Sequence, residues 1–341
     1  MKKRVGILGA SGYTGMELLR LLSMHARFEP VVATADQLKG QVIASLNPTL
    51  SHLGVTHFLS TEEAKETINE CDLIFSALPH GEGAKYLPEL QNHIIVDLSG
   101  DFRLTDSALY PEWYKFEHPA KSQLGKWVYG IPELFRNEIK NAARIANPGC
   151  YATAAILAAA PLAALTDGQI TFVGCSGTSG AGRSPKPSLH FAQVAEDLRP
   201  YNVAIHQHVP EIELILEKVS GRRNLVTFIP VLAPMVRGIL MTAVVRMSKS
   251  LSEDDLFSLL SGFYKGEKFI RVLREAPGTK QVRGSNHALL YGTVDKRAGT
   301  TIITCVIDNL MKGAAGQALQ NANLAFDFPE DAGLDFSSVY P

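Results

Sequence analysis

Residues Ala146 to Leu165, ANPGCYATAAILAAAPLAAL, set one thiol, Cys150, between a Pro-Gly corner and an alanine-rich run with the apolar content of a buried helix. A cysteine is most often a small core hydrophobe. At the mouth of a helix its chemistry changes, because unpaired N–H groups and the positive dipole end favour the thiolate. A thiolate placed there is a nucleophile for an activated acyl carbon. The other cysteines, Cys71, Cys175 and Cys305, lie in strand-like apolar runs where packing accounts for them. No CxxC spacing occurs, so neither a structural zinc site nor a disulfide framework is expected.

A thiol nucleophile needs a proton acceptor, and HQHVPEIE supplies candidates in His206, His208 and Glu211. An imidazole oriented by a carboxylate is the usual proton-handling pair, and either histidine fits that role. The same three residues could bind a metal, but no third strong ligand follows close by, and no metal site is expected. Two surface histidines beside a helix start at Pro210 is the plain alternative. CSGTSGAGRSPKP, Cys175 to Pro187, offers consecutive N–H groups, small hydroxyls and the cations Arg183 and Lys186 as a phosphate cradle. A solvated hairpin explains its residue types equally well.

Near the start, GASGYTG spaces Gly9, Gly12 and Gly15 three apart between an apolar run and a helical pattern. Glycines at a strand-to-helix turn let the backbone approach a pyrophosphate, which then rests on the helix N-terminus. Asp36, just past the second apolar run, suits a ribose 2′-hydroxyl, whereas Thr34 and Lys39 suit a 2′-phosphate. The two nicotinamide cofactors are not separated at this point.

The elements that must carry these groups alternate. Apolar runs at Arg4 to Leu8, FEPVVATAD, CDLIFSALP and NHIIVDLSG are separated by helical patterns, which predicts a parallel sheet covered on both faces. After Cys150, the runs QITFVGCSG, RNLVTFIPVLAP and GILMTAVVRM are longer and rich in β-branched residues, which predicts a second, α+β domain with a mixed or antiparallel sheet. The expected division is 1–148 for the dinucleotide-binding domain and 149–308 for the catalytic and oligomerisation domain. A C-terminal helix over 309–341, with Leu310, Ala314, Ala318 and Ala322 on one stripe, is expected to return to the first domain.

Nine motifs then occur in order: GASGYTG, SALPHG, DLSGDFRL, YGIPEL, NPGCYAT, SGTSGAGR, HQHVPEI, RGIL and DNLMKGAAGQA. Together they resemble the N-acetyl-γ-glutamyl-phosphate reductase family, relatives of aspartate-semialdehyde dehydrogenase, over essentially the whole chain. The resemblance implies a Rossmann domain and a glyceraldehyde-3-phosphate-dehydrogenase-like catalytic domain. It implies NADP(H) as cofactor, Cys150 as nucleophile, and a thioacyl enzyme that is reduced to an aldehyde. It also implies cofactor contacts from Gly9, Ser11, Gly12, Tyr13, Thr14, Gly15, Ala77, Leu78, Pro79, Ser179, Gly180 and Asn309. Ser176, Gly177 and Arg183 are expected to receive the departing phosphate. Arg103 and Arg237 are chosen on charge alone for the substrate carboxylate.

Bulk properties narrow the partners. Among 341 residues, 33 Lys and Arg face 34 Asp and Glu, so no global field attracts nucleic acid or an anionic membrane. No apolar run reaches spanning length, and a cytoplasmic homodimer or homotetramer acting on a small acyl phosphate is expected. A nicotinamide-sensing regulator would need the glycine turn but has no use for a helix-mouth thiol with HxHxPE. A reductase of aspartyl or carrier-linked aminoadipyl phosphate would use every one of these parts.

Overall fold

Strand β1 (Lys3–Leu8) enters the core with Val5, Ile7 and Leu8 fully buried and ends at the glycine turn that starts helix α1 (Tyr13–Ser23). The computed structural model describes residues 1–248 and 251–341. From α1 the chain continues through β2 (Phe28–Ala33), α2 (Lys65–Asn69), β3 (Leu73–Ser76), α3 (Gly83–Tyr86) and β4 (Ile94–Asp97). It then forms α4 (Leu109–Trp113), β5 (Val128–Tyr129), α5 (Pro132–Lys140) and β6 (Arg144–Ala146). These strands make one parallel sheet in the order β2-β1-β3-β4-β6-β5. The chain runs outward from β1 to β2 and then returns to β3, so the connections diverge at β1/β3. Open parallel sheets bind ligands beyond the carboxyl ends of their strands at such a switch.

The next stretch holds α6 (Cys150–Ala159), β7 (Thr166–Ser176), α7 (Phe191–Val194), β8 (Arg199–Pro200), α8 (Val209–Ser220) and β9 (Leu225–Leu232). It continues with β10 (Ile239–Met247), α9 (Glu253–Phe263), β11 (Ile270–Leu273), β12 (Ala288–Asp295) and β13 (Thr300–Ile307). The sheet order is β11-β12-β13-β10-β7-β9-β8, with parallel pairs at β11/β12 and β7/β9 and antiparallel pairs elsewhere, as the β-branched runs predict. One face, made by Phe172, Phe228, Met241, Ala243, Leu290 and Ile303, is fully buried, and α6, α8 and α9 pack against this sheet. The alternate residues, among them Val173, Leu240, Thr242, Val244 and Ile302, are only half-buried.

Two compact units result: Met1–Pro148 with Ala314–Asp335, and Gly149–Gly313 with Phe336–Pro341. The continuous helix expected over 309–341 is not what forms. A π-helical turn, Met311–Ala315, leads into α10 (Gly316–Ala325), where the helix ends. The stop has a local cause. Asp327 takes a left-handed φ of 53°, and Phe326 and Phe328 both turn onto Phe28 with ring centroids 5.3 Å away. The second unit also reaches Gly313 rather than 308, because Asp308 is tied there to Arg237 and Gly284. At the far end, Val339 N–H donates to Arg283 C=O at 2.9 Å, which attaches the last residues to the second unit. Among the described residues, no helix is long and apolar enough to cross a membrane.

Candidate active site

Helix α6 is buried on every side from Tyr151 to Ala159, which its alanines permit, and only Cys150 at its mouth is partly open. Gly149 is the residue before the helix, with extended backbone and no capping side chain. A Cβ on Gly149 would collide with the His208 ring at Nε2, so the imidazole lies directly on the backbone that delivers the thiol. On another side, a Cβ on Gly313 would come within 2.8 Å of Cys150 Cβ. The glycines at 149 and 313 therefore let an imidazole and a second backbone close in around the cysteine.

His208 is the residue before α8, and Glu211 sits fully buried in that helix's first turn. The Gly149 N–H donates to Glu211 Oε1 at 2.8 Å. The carboxylate thus serves the entrance of α6 from the entrance of α8, where both helix dipoles favour negative charge. This bond ties Glu211 to the backbone beside Cys150, and its position in α8 sets it one helical turn from His208. His206 and His208 lie close, ring centroids 4.7 Å apart. His206 Nδ1 accepts the His208 N–H at 3.2 Å, and burial among Tyr151, Tyr201 and Phe228 lowers its pKa to about 4.

Tyr201 was not singled out from sequence. Its hydroxyl donates to the Tyr151 hydroxyl at 3.3 Å, Tyr151 in turn donates to Val231 C=O at 3.2 Å, and both phenols feel the charge of Cys150. Burial pushes the Tyr201 phenol up to about 12, so it stays a hydrogen-bond donor. The only sequence signal for it is a tyrosine five residues before the HxH pair.

The loop Ser176 to Arg183 corrects the expected cradle. The N–H groups of Gly177, Thr178 and Ser179 donate to the carbonyls of Gly238, Met235 and Val236, and that of Gly180 to Gly177. Those amides are already paired, and the Ser176 and Thr178 hydroxyls donate to the Gly177 and Met235 carbonyls, so this loop can offer an anion the Ser179 hydroxyl and the exposed Arg183 but not a row of N–H groups. Asn309 is held as firmly: it accepts from Gly238 N–H at 2.7 Å and donates to Ser179 Oγ at 2.9 Å. Arg237 pairs with the buried Asp308, Nε to Oδ2 at 2.9 Å. Arg103 donates to the carbonyls of Asn147 and Leu98, each at 2.8 Å, and so ties the ends of β4 and β6 together. Both arginines chosen on charge therefore have protein partners.

In the first unit the glycine turn and the loop after β3 lie side by side. Gly9 has a left-handed φ of 75°, and a Cβ there would sit 2.5 Å from Ala77 C=O; one on Gly15 would sit 2.5 Å from Ala10 Cα. Gly12 differs, since only Gly9 C=O, at 3.8 Å, approaches its Cβ position. Space thus opens at the N-terminus of α1, whose first turn has no acidic residue. Ser11, Tyr13 and Thr14 line this mouth, with Ala77, Leu78 and Pro79 following the neighbouring strand. The arrangement fits a dinucleotide pyrophosphate. Asp36 is turned aside: its carboxylate accepts Thr61 N–H at 2.8 Å and Thr61 Oγ1–H at 3.1 Å. Lys39 pairs with Glu63 at 2.6 Å, and Thr34 Oγ1 accepts Gly9 N–H at 3.2 Å. Among the described residues no group of three or more His, Cys, Asp or Glu stands together as a metal site.

A dinucleotide-type parallel sheet and a mixed-sheet unit with a helix-mouth cysteine define a semialdehyde-dehydrogenase type of chain. Residues 4–142 match the semialdehyde dehydrogenase NAD binding domain, and residues 150–309 match the semialdehyde dehydrogenase dimerisation domain. Among solved structures, aspartate semialdehyde dehydrogenase II from Vibrio cholerae superposes with a TM-score of 0.74 at 18% identity, covering 96% of this chain and 99% of that one. The NADP-containing aspartate semialdehyde dehydrogenase from Candida albicans gives 0.65 at 16% identity, with 95% and 98% covered. The N-acetyl-gamma-glutamyl-phosphate reductase of Symbiobacterium thermophilum is 44% identical, with 100% of both chains covered. That of Desulforamulus reducens is 41% identical, with 99% of both covered. The chain belongs to the N-acetyl-γ-glutamyl-phosphate reductase family.

Proposed function

We propose that this protein reduces N-acetyl-γ-glutamyl phosphate to N-acetylglutamate semialdehyde and inorganic phosphate, using NADPH. The observation that carries the chemistry is the helix-mouth thiol of Cys150 with His208 Nε2 lying on the Gly149 backbone. His208 takes the thiol proton at Nε2. The Cys150 thiolate attacks the acyl carbon, and the C–O bond to phosphate breaks with its electron pair, leaving a thioester on Cys150. When bound, the dinucleotide supplies the hydride that reduces this thioester. The resulting hemithioacetal oxyanion is steadied by the charged His208, and as the C–S bond breaks the thiolate leaves and the aldehyde departs. Dividing the reaction lets each step meet a lower barrier.

Glu211 acts by fixing the Gly149 backbone, while the Tyr201 hydroxyl is a donor within electrostatic reach of the thiol. The Ser179 hydroxyl, whose oxygen accepts from Asn309, and the exposed Arg183 receive the phosphate. On the first unit, Gly9 to Gly15 hold the pyrophosphate, and the turning of Asp36 onto Thr61 removes its carboxylate from competition with a 2′-phosphate. The half-buried face of the mixed sheet, bearing Val173, Leu240 and Val244, is where a second copy docks to form a homo-oligomer.

The test is NADPH consumption with N-acetylglutamyl, aspartyl and carrier-linked aminoadipyl phosphates presented in parallel. Turnover with the first and little with the others is expected. Preference for either of the others reassigns the substrate. Cys150→Ala should abolish reduction while retaining cofactor binding in a calorimetric titration; retained turnover would remove the covalent route.

A further inference from the structure

We propose that Asp308 is a positioning residue for the nucleophile: its carboxylate fixes the stretch Asp308–Gly313 so that the Gly313 backbone walls the thiol of Cys150. The inference rests on the reading of Cys150 as the reacting group. Asp308 follows β13 directly, and its carboxylate is fully buried. Oδ1 accepts the N–H groups of Leu310 and Met311 at 2.8 and 3.1 Å, which caps the start of the π turn. Oδ2 accepts the Gly284 N–H at 2.7 Å and lies 2.9 Å from Arg237 Nε, whose guanidinium also donates to Oδ1 from Nε and Nη2 at 3.2 and 3.0 Å. The main-chain carbonyl of the same residue accepts the Gly313 N–H at 3.0 Å. One residue thus fixes both ends of the stretch from Leu310 to Gly313.

The far end of that stretch is what meets Cys150, at the Cβ that carries the thiol. Gly313 approaches so closely that a methyl group there would lie 2.8 Å from Cys150 Cβ. The neighbouring Asn309 adds two further ties, to Gly238 N–H and Ser179 Oγ, so the stretch cannot slide along the sheet. A π turn holds its extra residue at a cost to regular helical bonding and recurs at functional sites. Here the carboxylate of Asp308 stabilises it. A carboxylate accepting several N–H groups and a guanidinium is not replaced by an amide of the same shape, because the amide turns an N–H₂ group toward donors.

The experiment reads thiol chemistry separately from turnover. Iodoacetamide alkylation of Cys150 is followed against pH in the wild type, Asp308→Asn, Gly313→Ala and Gly278→Ala, alongside kcat and KM with N-acetylglutamyl phosphate. Gly278 has open space at its Cβ position and serves as the control. Displacement from the helix mouth should raise the alkylation midpoint by about one pH unit in Asp308→Asn and Gly313→Ala, slowing alkylation at neutral pH about tenfold. In both, kcat should fall while KM changes little. An Asp308→Asn protein that melts earlier yet alkylates with the wild-type profile would overturn the proposal. If that variant does not fold, an unchanged profile in Gly313→Ala overturns it alone. If the wild type does not reduce the acyl phosphate, the substrate reading fails, and the alkylation profiles still decide the role of Asp308.

Discussion

Two histidines separated by one residue are placed differently by the backbone, and the proposed proton transfer depends on that difference. His206 gives its Nδ1 lone pair to the His208 N–H, so its neutral form carries the proton on Nε2, and burial holds its pKa near 4. A base at that position would have to change tautomer and break the bond. His208 instead lays Nε2 on the backbone next to the thiol. His208→Ala should therefore lower kcat by about 10²- to 10⁴-fold, the usual range for general acid–base help. His206→Ala should lower kcat far less and reduce thermal stability instead. Steady-state kinetics and melting curves on both variants check this, and equal kinetic losses would contradict the division. The HxH spacing named the pair but not which ring lies on the backbone beside Cys150, since that depends on a main-chain N–H and on three aromatic rings from other elements.

At the scale of elements, the glycine turn between β1 and α1 separates two uses of the same residue type. Gly15 packs its bare Cα against Ala10, so a side chain there strains the turn itself. Gly12 faces open space and has an ordinary φ of −70°. Gly12→Val should keep the wild-type melting temperature and lose nicotinamide binding, whereas Gly15→Ala should melt lower. Paired melting and calorimetric titration measure both, and a Gly12→Val protein that binds normally would remove the pyrophosphate assignment. This turn, the alternation of β1 to β4 and the mouth of α6 were legible because each is written in contiguous residues, whereas the two- and three-residue strands β5 and β6 carry too little pattern to be read. Other features were not. Whether the amides of Gly177 to Ser179 are open depends on Met235, Val236 and Gly238, which arrive from a different part of the chain. Arg237 finds Asp308 across a separation of 71 residues, a protein partner that charge in the sequence does not reveal. The end of α10 is set by aromatic residues meeting Phe28, a contact no helical period contains.

For the molecule as a whole, three buried histidines point to acid sensitivity. His25, His118 and His206 each accept a backbone N–H at Nδ1, from Phe28 at 2.9 Å and from Ala120 and His208 at 3.2 Å. Protonation would place two donors face to face, and burial lowers all three pKa values from 6.5. The unfolded chain takes up these protons first, so stability present above pH 6.5 declines as pH falls toward about 4, where His206 titrates in the fold. Asp97 acts with the opposite sign. Burial and the neighbouring Asp101 push it up to about 6 from 3.8, so it gains stability as pH falls through that interval and moderates the loss. The melting temperature should drop between pH 6.5 and 4, and His118→Gln should flatten the slope. A flat profile in the wild type would refute this account.

The first unit is closed by α10, which packs on α5 and β4 yet follows residues 149–313 of the second unit in sequence. A ribosome delivers the strands of the parallel sheet early and their last helical cover only after residues 149–313 have been made. For that interval the nascent sheet exposes apolar surface near β4 while a whole second unit is being synthesised. The inserted unit can complete its own sheet during the wait, so its order of assembly precedes that of the unit begun before it. Stalled or prematurely ended chains would then be selectively defective in the nucleotide-holding half, with the thiol-bearing half already formed.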